Sequence, residues 1–241
     1  MLVATLLLHT ALIYVETRAF GHCLVYSPFE IMTLIAFMVM LTYLVVELVT
    51  GERGTGFFFL GIALLFQILS GMFGMAPGTT VDASLLEDVV GLHISAALFA
   101  YTGYTMSAVW GILYLMQHHE IRANRFGPLY RRLPSLGLLE RMSATAILVG
   151  TLFLAVAVLI AFTWLPEAVP GFGPDDPKVV ATIGIGLLYL GALALRRFKG
   201  IDARRFVIVT LVGFVGLLLS LTVVNLFMSR FHDFGRAGSL S

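Results

Sequence analysis

The sequence predicts an all-α, polytopic integral membrane protein, a single helix bundle over residues 1–241 with about seven transmembrane helices. The 241-residue chain is 59% hydrophobic and only 12% charged, and its mean hydropathy of +0.96 is far above that of soluble globular domains. Several windows contain the roughly 20 apolar residues that are needed to cross about 30 Å of hydrocarbon. Because of these apolar windows, the lipid bilayer is the expected surrounding of the chain. A net charge of +1 argues against nucleic acid as a partner.

The first three spans are separated by charged and turn residues. The first begins at Met1 without a basic flank or a small-residue cleavage site, so it is predicted to be a retained helix, ending near Glu16 and Arg18. The second begins at Glu30, whose charge suits either a helix N-terminus or a proton acceptor for His22. The predicted ranges are residues 2–17, 30–50 and 56–76.

The remaining four spans are separated by longer polar segments. The fourth opens near His93 and ends before His118 and His119, which are predicted to be solvated residues at the helix end. Glycines in the last two spans predict close helix packing: Gly184, Gly186, Gly191, Gly213 and Gly216. The predicted ranges are residues 92–117, 143–165, 179–197 and 205–229.

Basic residues predict the orientation. Eleven of the fifteen lysines and arginines fall on one face, which the positive-inside rule assigns to the cytoplasm. With seven spans, the N-terminus is then cytoplasmic and the C-terminus extracytoplasmic, as expected for a multi-pass protein of a bacterial plasma (inner) membrane. The eleven residues are Arg53, Arg122, Arg125, Arg131, Arg132, Arg141, Arg196, Arg197, Lys199, Arg204 and Arg205.

Three of the six histidines, His22, His93 and His232, are predicted on the extracytoplasmic face. Two imidazoles at the ends of neighbouring helices can approach a flat ligand from opposite sides, as axial ligands of haem iron do. Asp176 lies on the same face and could accept a hydrogen bond from a ligating ring. Zinc is the competing use of such a cluster. His9 lies mid-span, where it is either functional or a neutral ring bonded to a neighbouring helix.

Several segments resemble the CcsA, CcmC and CcmF haem-handling proteins, also described as cytochrome c assembly proteins. The final segment VNLFMSRFHDFGR resembles their closing helix and histidine, and LHISAALFAYTGYTMSAVWGILYLMQ is similar to the helix that opens with their other outer histidine. The first outer loop, GHCLVYSPFE, resembles their Gly-His segment. The loop NRFGPLYRRLPSLGLLERM is similar to that of the short HemX-like and YpjD-like members.

The resemblance implies that His93 and His232 are axial ligands of haem b. In the family a tryptophan-rich loop presents haem to apocytochrome, but the matching run GFGPDDPKVVATIG has no tryptophan. Phe172 and Trp164 are the large rings near it, and they, His22 and Asp176 are the expected surroundings of the haem. Ala194 stands where synthase-type members have a histidine for a second haem. The resemblance therefore implies a chain nearest the HemX-like members.

Three functions remain open. The first is a membrane haem b-binding protein that serves haem handling or cytochrome c maturation, with apocytochrome c or other assembly proteins as partners. The second is a haem-bearing or structural subunit of a larger respiratory or photosynthetic redox complex. The third is a HemX-like regulatory membrane protein without haem. An enzyme is not expected, because the sequence contains no P-loop, Rossmann, nucleophile-elbow or H-E-x-x-H motif. No C-x-x-C-H segment for covalent haem attachment is present, and Cys23 is the single cysteine.

Overall fold

A computed structural model of the protein describes residues 2–20, 28–73, 88–124, 133–164 and 176–220. These residues form seven α-helices, with no strand among them. The helices are α1 (Leu2–Phe20), α2 (Pro28–Thr50), α3 (Gly56–Phe73), α4 (Asp88–Arg122), α5 (Leu136–Thr163), α6 (Pro177–Ala194) and α7 (Ala203–Leu219). A wider π-helical turn, Leu195–Lys199, continues α6 until Gly200, which has a φ of 59° that favours glycine, ends it.

Five of these helices are long and apolar enough to cross a membrane. They contain the segments Leu2–Ala19, Phe29–Thr50, Val89–Arg122, Leu136–Thr163 and Pro177–Lys199. The apolar helix segment Gly56–Met72 is shorter. Large apolar side chains face outward along the helices, for example Leu8, Phe57 and Leu187, each more than 60% exposed. The chain is therefore a multi-pass, all-helical membrane protein.

Two helices extend well beyond the predicted spans. α5 begins at Leu136 rather than residue 143, because Leu139 and Met142 in its first two turns are completely buried in the core. α4 begins at Asp88 and continues to Arg122, past the predicted end at residue 117. Hydropathy reports only the hydrocarbon-spanning part of a helix, whereas packing against neighbours stabilises polar turns beyond it. For α7, the predicted end at residue 229 lies outside the described residues.

Successive helices run in opposite directions. At one end, the start of α4 meets the end of α5, and the start of α6 meets the end of α7, through His93–Ala157 and Lys178–Ser220 contacts. At the other end, Arg196 forms an ion pair with Glu140, joining the end of α6 to the start of α5. Since the described basic residues of the predicted cytoplasmic face belong to this second end, we call it the basic end and the other the His93 end.

The centre of the bundle is the pair α4 and α5. A Cβ atom on Gly103 would lie 2.8 Å from the Ala146 carbonyl oxygen, and one on Gly150 would lie 2.9 Å from the Ala100 carbonyl oxygen. Both distances are too short for a side chain, so the two backbones touch at these glycines. Close to this contact, Ser107 and Ser143 share a buried 2.8 Å hydrogen bond between the helices.

Buried aromatic side chains connect the central pair to the outer helices. Trp110 on α4 lies 4.5 Å from the Phe59 ring, and its Nε1 donates to the Thr55 hydroxyl at 3.2 Å. On the other side, Tyr104 stacks on Tyr189 of α6 with 4.1 Å between ring centroids. These rings fill the bundle interior, and the buried indole N–H keeps a partner.

Only some of the glycines that were predicted to lie at close helix contacts lie at such contacts in the described residues. A Cβ on Gly213 or Gly186 would contact a neighbouring leucine side chain at 2.9 Å. In contrast, no atom of the described residues lies within 4 Å of a Cβ added to Gly184, Gly191 or Gly216, so the described part of the bundle shows no close contact at these three. A glycine leaves room for a neighbouring helix only when it faces one, and the sequence does not reveal its facing.

Candidate functional site

The candidate site is built around His93, in the second turn of α4 at the His93 end. The Nδ1 atom of His93 lies 3.0 Å from the carbonyl oxygen of Ala157 on α5. The direct contact of α4 and α5 at Gly103 and Gly150 brings these two groups within reach. The imidazole therefore has a fixed orientation on a rigid pair of helices.

This hydrogen bond determines which ring nitrogen is available for a ligand. A carbonyl oxygen only accepts, so Nδ1 must carry the proton, and the neutral ring keeps its lone pair on Nε2. Metal-ligating histidines commonly use such a bond to fix the tautomer and to raise the basicity of the other nitrogen. His93 thus meets the requirement for a ligand that coordinates through Nε2.

His93 lines a small pocket between α4, α5 and α6, which we call the His93 pocket. Its volume is about 60 Å³, and its other walls include Ala97, Tyr101, Ala157, Phe162, Lys178 and Thr182. Alanines on α4 and α5 keep the space open beside the imidazole. A complete binding site for an organic ligand usually encloses about 300–1,000 Å³. The described residues therefore form only one edge of such a site, with the His93 imidazole as its candidate ligating group.

The first turn of α6 forms another wall of this pocket. Asp176 caps the helix, since its carboxylate accepts a 2.7 Å hydrogen bond from the Lys178 backbone N–H, and Pro177 occupies a first-turn position where its ring is tolerated. The Lys178 side chain turns inward and is only 6% exposed. Its Nζ donates to the backbone oxygen of Ser220 at 3.3 Å and to the Ser220 hydroxyl at 3.5 Å.

The structure brings some of the predicted site residues together. His93 lines the pocket, and Asp176 is buried as the N-cap of α6, the helix whose residue Lys178 also lines the pocket. Trp164 follows the end of α5, is 52% exposed and does not line the pocket, whereas Phe162 does. His232, His22 and Phe172 lie outside the described residues, so their predicted roles stay predictions.

The two remaining candidates, His9 and Glu30, belong to a separate polar layer between α1, α2 and α3. Nε2 of His9 forms a 2.7 Å hydrogen bond with the side-chain oxygen of Gln67, in keeping with a ring bonded to a neighbouring helix. Glu30 is buried at the start of α2 and interacts electrostatically with Glu16 on α1. Both carboxylate oxygens of Glu16 are buried and have no hydrogen-bond partner among the described residues.

The donors of the described residues can be compared with what zinc and haem each require. Within the described ranges, no group of three histidine, cysteine or acidic side chains comes together to hold a metal ion. A structural zinc ion needs four such ligands, and a catalytic one needs three. Haem iron needs only one or two axial ligands from the protein, and His93 has one ring nitrogen, Nε2, that the bond to Ala157 does not use.

Two features of the interior have no clear signal in the sequence. The first feature is the burial of the Lys178 side chain, because a lysine near the end of a span is expected to extend towards water. The other is an apolar pocket of about 350 Å³ between α2, α3 and α4, whose lining includes Val39, Phe66 and Met106. The sequence of each helix alone does not show where three neighbours leave a gap.

Comparisons with known proteins identify the family to which the chain is similar. The profile of the family described as "Cytochrome C assembly protein" matches residues 29–232, a segment that includes His93 and ends at His232. Protein HemX of Brevibacillus brevis is 25% identical over 175 residues, which are 71% of this chain and 62% of that protein. Protein HemX of Bacillus subtilis is 23% identical over 153 residues, which are 64% of this chain and 55% of that protein.

A shorter match involves proteins named for cytochrome c biogenesis. The cytochrome c biogenesis protein CcsA of a Synechococcus species is 31% identical over 97 residues, 40% of this chain and 32% of that protein. The chain thus spans less than two thirds of the length of these relatives. No solved structure shows a significant match. Since the family profile covers most of the chain, and the HemX proteins align over more of it than CcsA does, the chain belongs to the cytochrome C assembly protein family, on its HemX-like side.

Proposed function

We propose that this protein binds haem b near the extracytoplasmic face of a bacterial inner membrane and serves haem handling in cytochrome c maturation. Family membership supports the haem-handling role. The observation that carries the proposal for this chain is the hydrogen bond from His93 Nδ1 to the Ala157 carbonyl oxygen, which leaves Nε2 free to coordinate.

His232 is the proposed second axial ligand. The described part of α7 ends at the His93 end, where Ser220 contacts Lys178 of the His93 pocket. His232 follows twelve residues later in the sequence. Among the described residues, His93 is the one histidine that lines the pocket, so we propose His232, which lies outside them, as its partner.

The residues of the chain have distinct roles in this proposal. Bound haem b would supply an iron centre with two axial positions. His93 would bind through Nε2 while the Ala157 carbonyl holds its tautomer, and the close α4–α5 contact would keep the ring from turning. The apolar wall that includes Ala97 and Phe162 would exclude water from that side of the imidazole.

The first prediction is spectroscopic. The purified protein, loaded with haem b, is expected to show the low-spin Soret band of two nitrogen ligands. His93→Gly and His232→Gly are each expected to convert this to a high-spin spectrum, and added imidazole is expected to restore the low-spin form because it can replace the missing side chain. His119→Gly is the matched control, since His119 is exposed at the basic end. Low-spin spectra retained in both single variants would refute the axial pair.

A second candidate function is regulation without haem, and the HemX matches favour it. They cover 71% and 64% of the chain, whereas the CcsA match covers 40%. On this alternative, the basic end would contact an acidic partner or anionic lipid. A colourless preparation that binds no added haem b, yet retains a stoichiometric cytosolic partner, would favour it over the first proposal.

A further inference from the structure

Lys178 is a buried lysine that forms no ion pair within the described residues. Its side chain is 6% exposed, and its Nζ has two neutral acceptors, both on Ser220, at 3.3 and 3.5 Å. The ion pairs formed within the described ranges are Arg53–Glu47 and Arg196–Glu140, and neither involves Lys178. Burying an ammonium group is costly unless a negative charge accompanies it.

Among the described residues, Asp176 supplies a negative charge that acts on the Lys178 ammonium group. Its carboxylate accepts a hydrogen bond from the Lys178 backbone N–H as the N-cap of α6. A lysine in the first turn also lies at the positive end of the helix dipole, where a cation is disfavoured. Local helix stability therefore does not explain an inward-facing lysine at this position.

The position of Lys178 in the His93 pocket suggests what the charge is for. The pocket has the His93 imidazole on one wall and the Lys178 side chain on another. A ligand that fits both groups must have an atom that accepts the lone pair of an imidazole nitrogen. It must also carry, at its edge, an anionic group that accepts a hydrogen bond from an ammonium group. Haem b has both, because its iron takes axial imidazole and its porphyrin carries two carboxylate side chains.

We infer that Lys178 binds a carboxylate of the porphyrin that His93 ligates, so that the His93 pocket selects a free-acid haem over an esterified one. This inference rests on the proposed function, and it adds a charge-selective residue to it. The Ser220 hydroxyl and carbonyl hold the ammonium in place beside the pocket. A charge-assisted hydrogen bond in such a setting is strong enough to change the affinity about tenfold or more.

The test compares two ligands and matched variants. Wild-type protein in nanodiscs of zwitterionic lipid is titrated with haem b and with haem b dimethyl ester, which has the same ring and iron but no free carboxylate. Wild type is expected to bind the free acid about tenfold more tightly or better. Lys178→Met is expected to lose that preference, with ester affinity unchanged, and Lys178→Arg to retain it. Lys199→Met is the control, because Lys199 is the other lysine of the chain and is exposed at the basic end.

The outcomes separate the inference from the function on which it rests. If wild type binds both ligands equally, or if Lys178→Met keeps the preference, the inference is overturned while haem binding stands. If wild type binds neither ligand, the proposed function fails and the inference fails with it. Should Lys178→Met not fold, the comparison of acid and ester on wild type decides alone. A preference that disappears in nanodiscs of anionic lipid would mean that Lys178 takes a lipid phosphate instead, and it would also overturn the inference.

Discussion

At the scale of single residues, buried polar groups of this bundle differ in whether a partner accompanies them. His93 donates to a main-chain carbonyl, and His9 is bonded to Gln67 on a neighbouring helix. Glu16 is as buried as the core leucines, and its carboxylate has no hydrogen-bond partner in the described part of the chain. The sequence predicts where these ionisable residues lie along the helices. It does not predict the partners, since a carbonyl acceptor such as that of Ala157 leaves no trace in residue type.

The second prediction concerns Glu16. We expect Glu16→Leu to raise the thermal unfolding midpoint in detergent, because a leucine continues the inward-facing apolar positions of α1, Leu6 and Ile13, without a carboxylate to desolvate. Replacing buried charge with well-packed apolar groups is neutral or stabilising by about 1–4 kcal/mol.

Glu140→Leu serves as the opposite control, since it breaks the ion pair with Arg196 and should lower the midpoint. If Glu16→Leu were also to lower the midpoint, Glu16 would have to be engaged with a group beyond the described residues or with a bound ligand.

At the scale of helices, hydropathy predicts the existence and order of the elements but not how they meet. Each of the seven predicted spans overlaps a described helix, and five of these helices are long and apolar enough to cross a membrane. α5, however, begins seven residues earlier than predicted, because buried Leu139 and Met142 extend it. The central α4–α5 contact depends on Gly103 and Gly150, which the glycine-based prediction of close packing did not include. Which side of a helix faces inward depends on the neighbouring helices that pack against it, and that information is distributed over the whole chain.

The third prediction tests this contact. Gly103→Ala is expected to destabilise the protein by about 1–3 kcal/mol, because the new methyl group would meet backbone atoms at 2.8–2.9 Å that cannot move aside alone. Gly61→Ala, on α3 with nothing within 4 Å, is the control, and it should stabilise by up to about 1 kcal/mol through helix propensity. Both are measured by thermal unfolding in the same detergent. Equal effects of the two substitutions would contradict the direct backbone contact.

At the scale of the whole molecule, the alternation of helix direction is what gathers the candidate site. It places the starts of α4 and α6 and the ends of α5 and α7 at one end, and the described arginines of the basic loops at the other. The sequence predicts this segregation from charge alone. The absolute orientation in the membrane, with His93 and the C-terminus extracytoplasmic, stays a prediction of the positive-inside rule.

The fourth prediction tests that orientation with reporter fusions. Alkaline phosphatase fused after Ser241 is expected to be active, because the enzyme folds only outside the cytoplasm. The same enzyme fused after Gly200, at the turn between α6 and α7, is expected to be inactive. Green fluorescent protein at the same two positions should give the reverse pattern. Activity of the phosphatase at Gly200 but not at Ser241 would show that the orientation in the membrane is the reverse of the predicted one.

The anchoring of His93 to a peptide oxygen has a consequence for how this site can diverge. Every amino acid supplies the same oxygen at position 157, so replacement of that alanine by another small residue leaves the imidazole proton where it is. If His93 were bonded to a side-chain carboxylate instead, a single amino-acid substitution would remove that partner. The position of the Nε2 lone pair therefore depends on the path of the main chain rather than on the residue type at position 157.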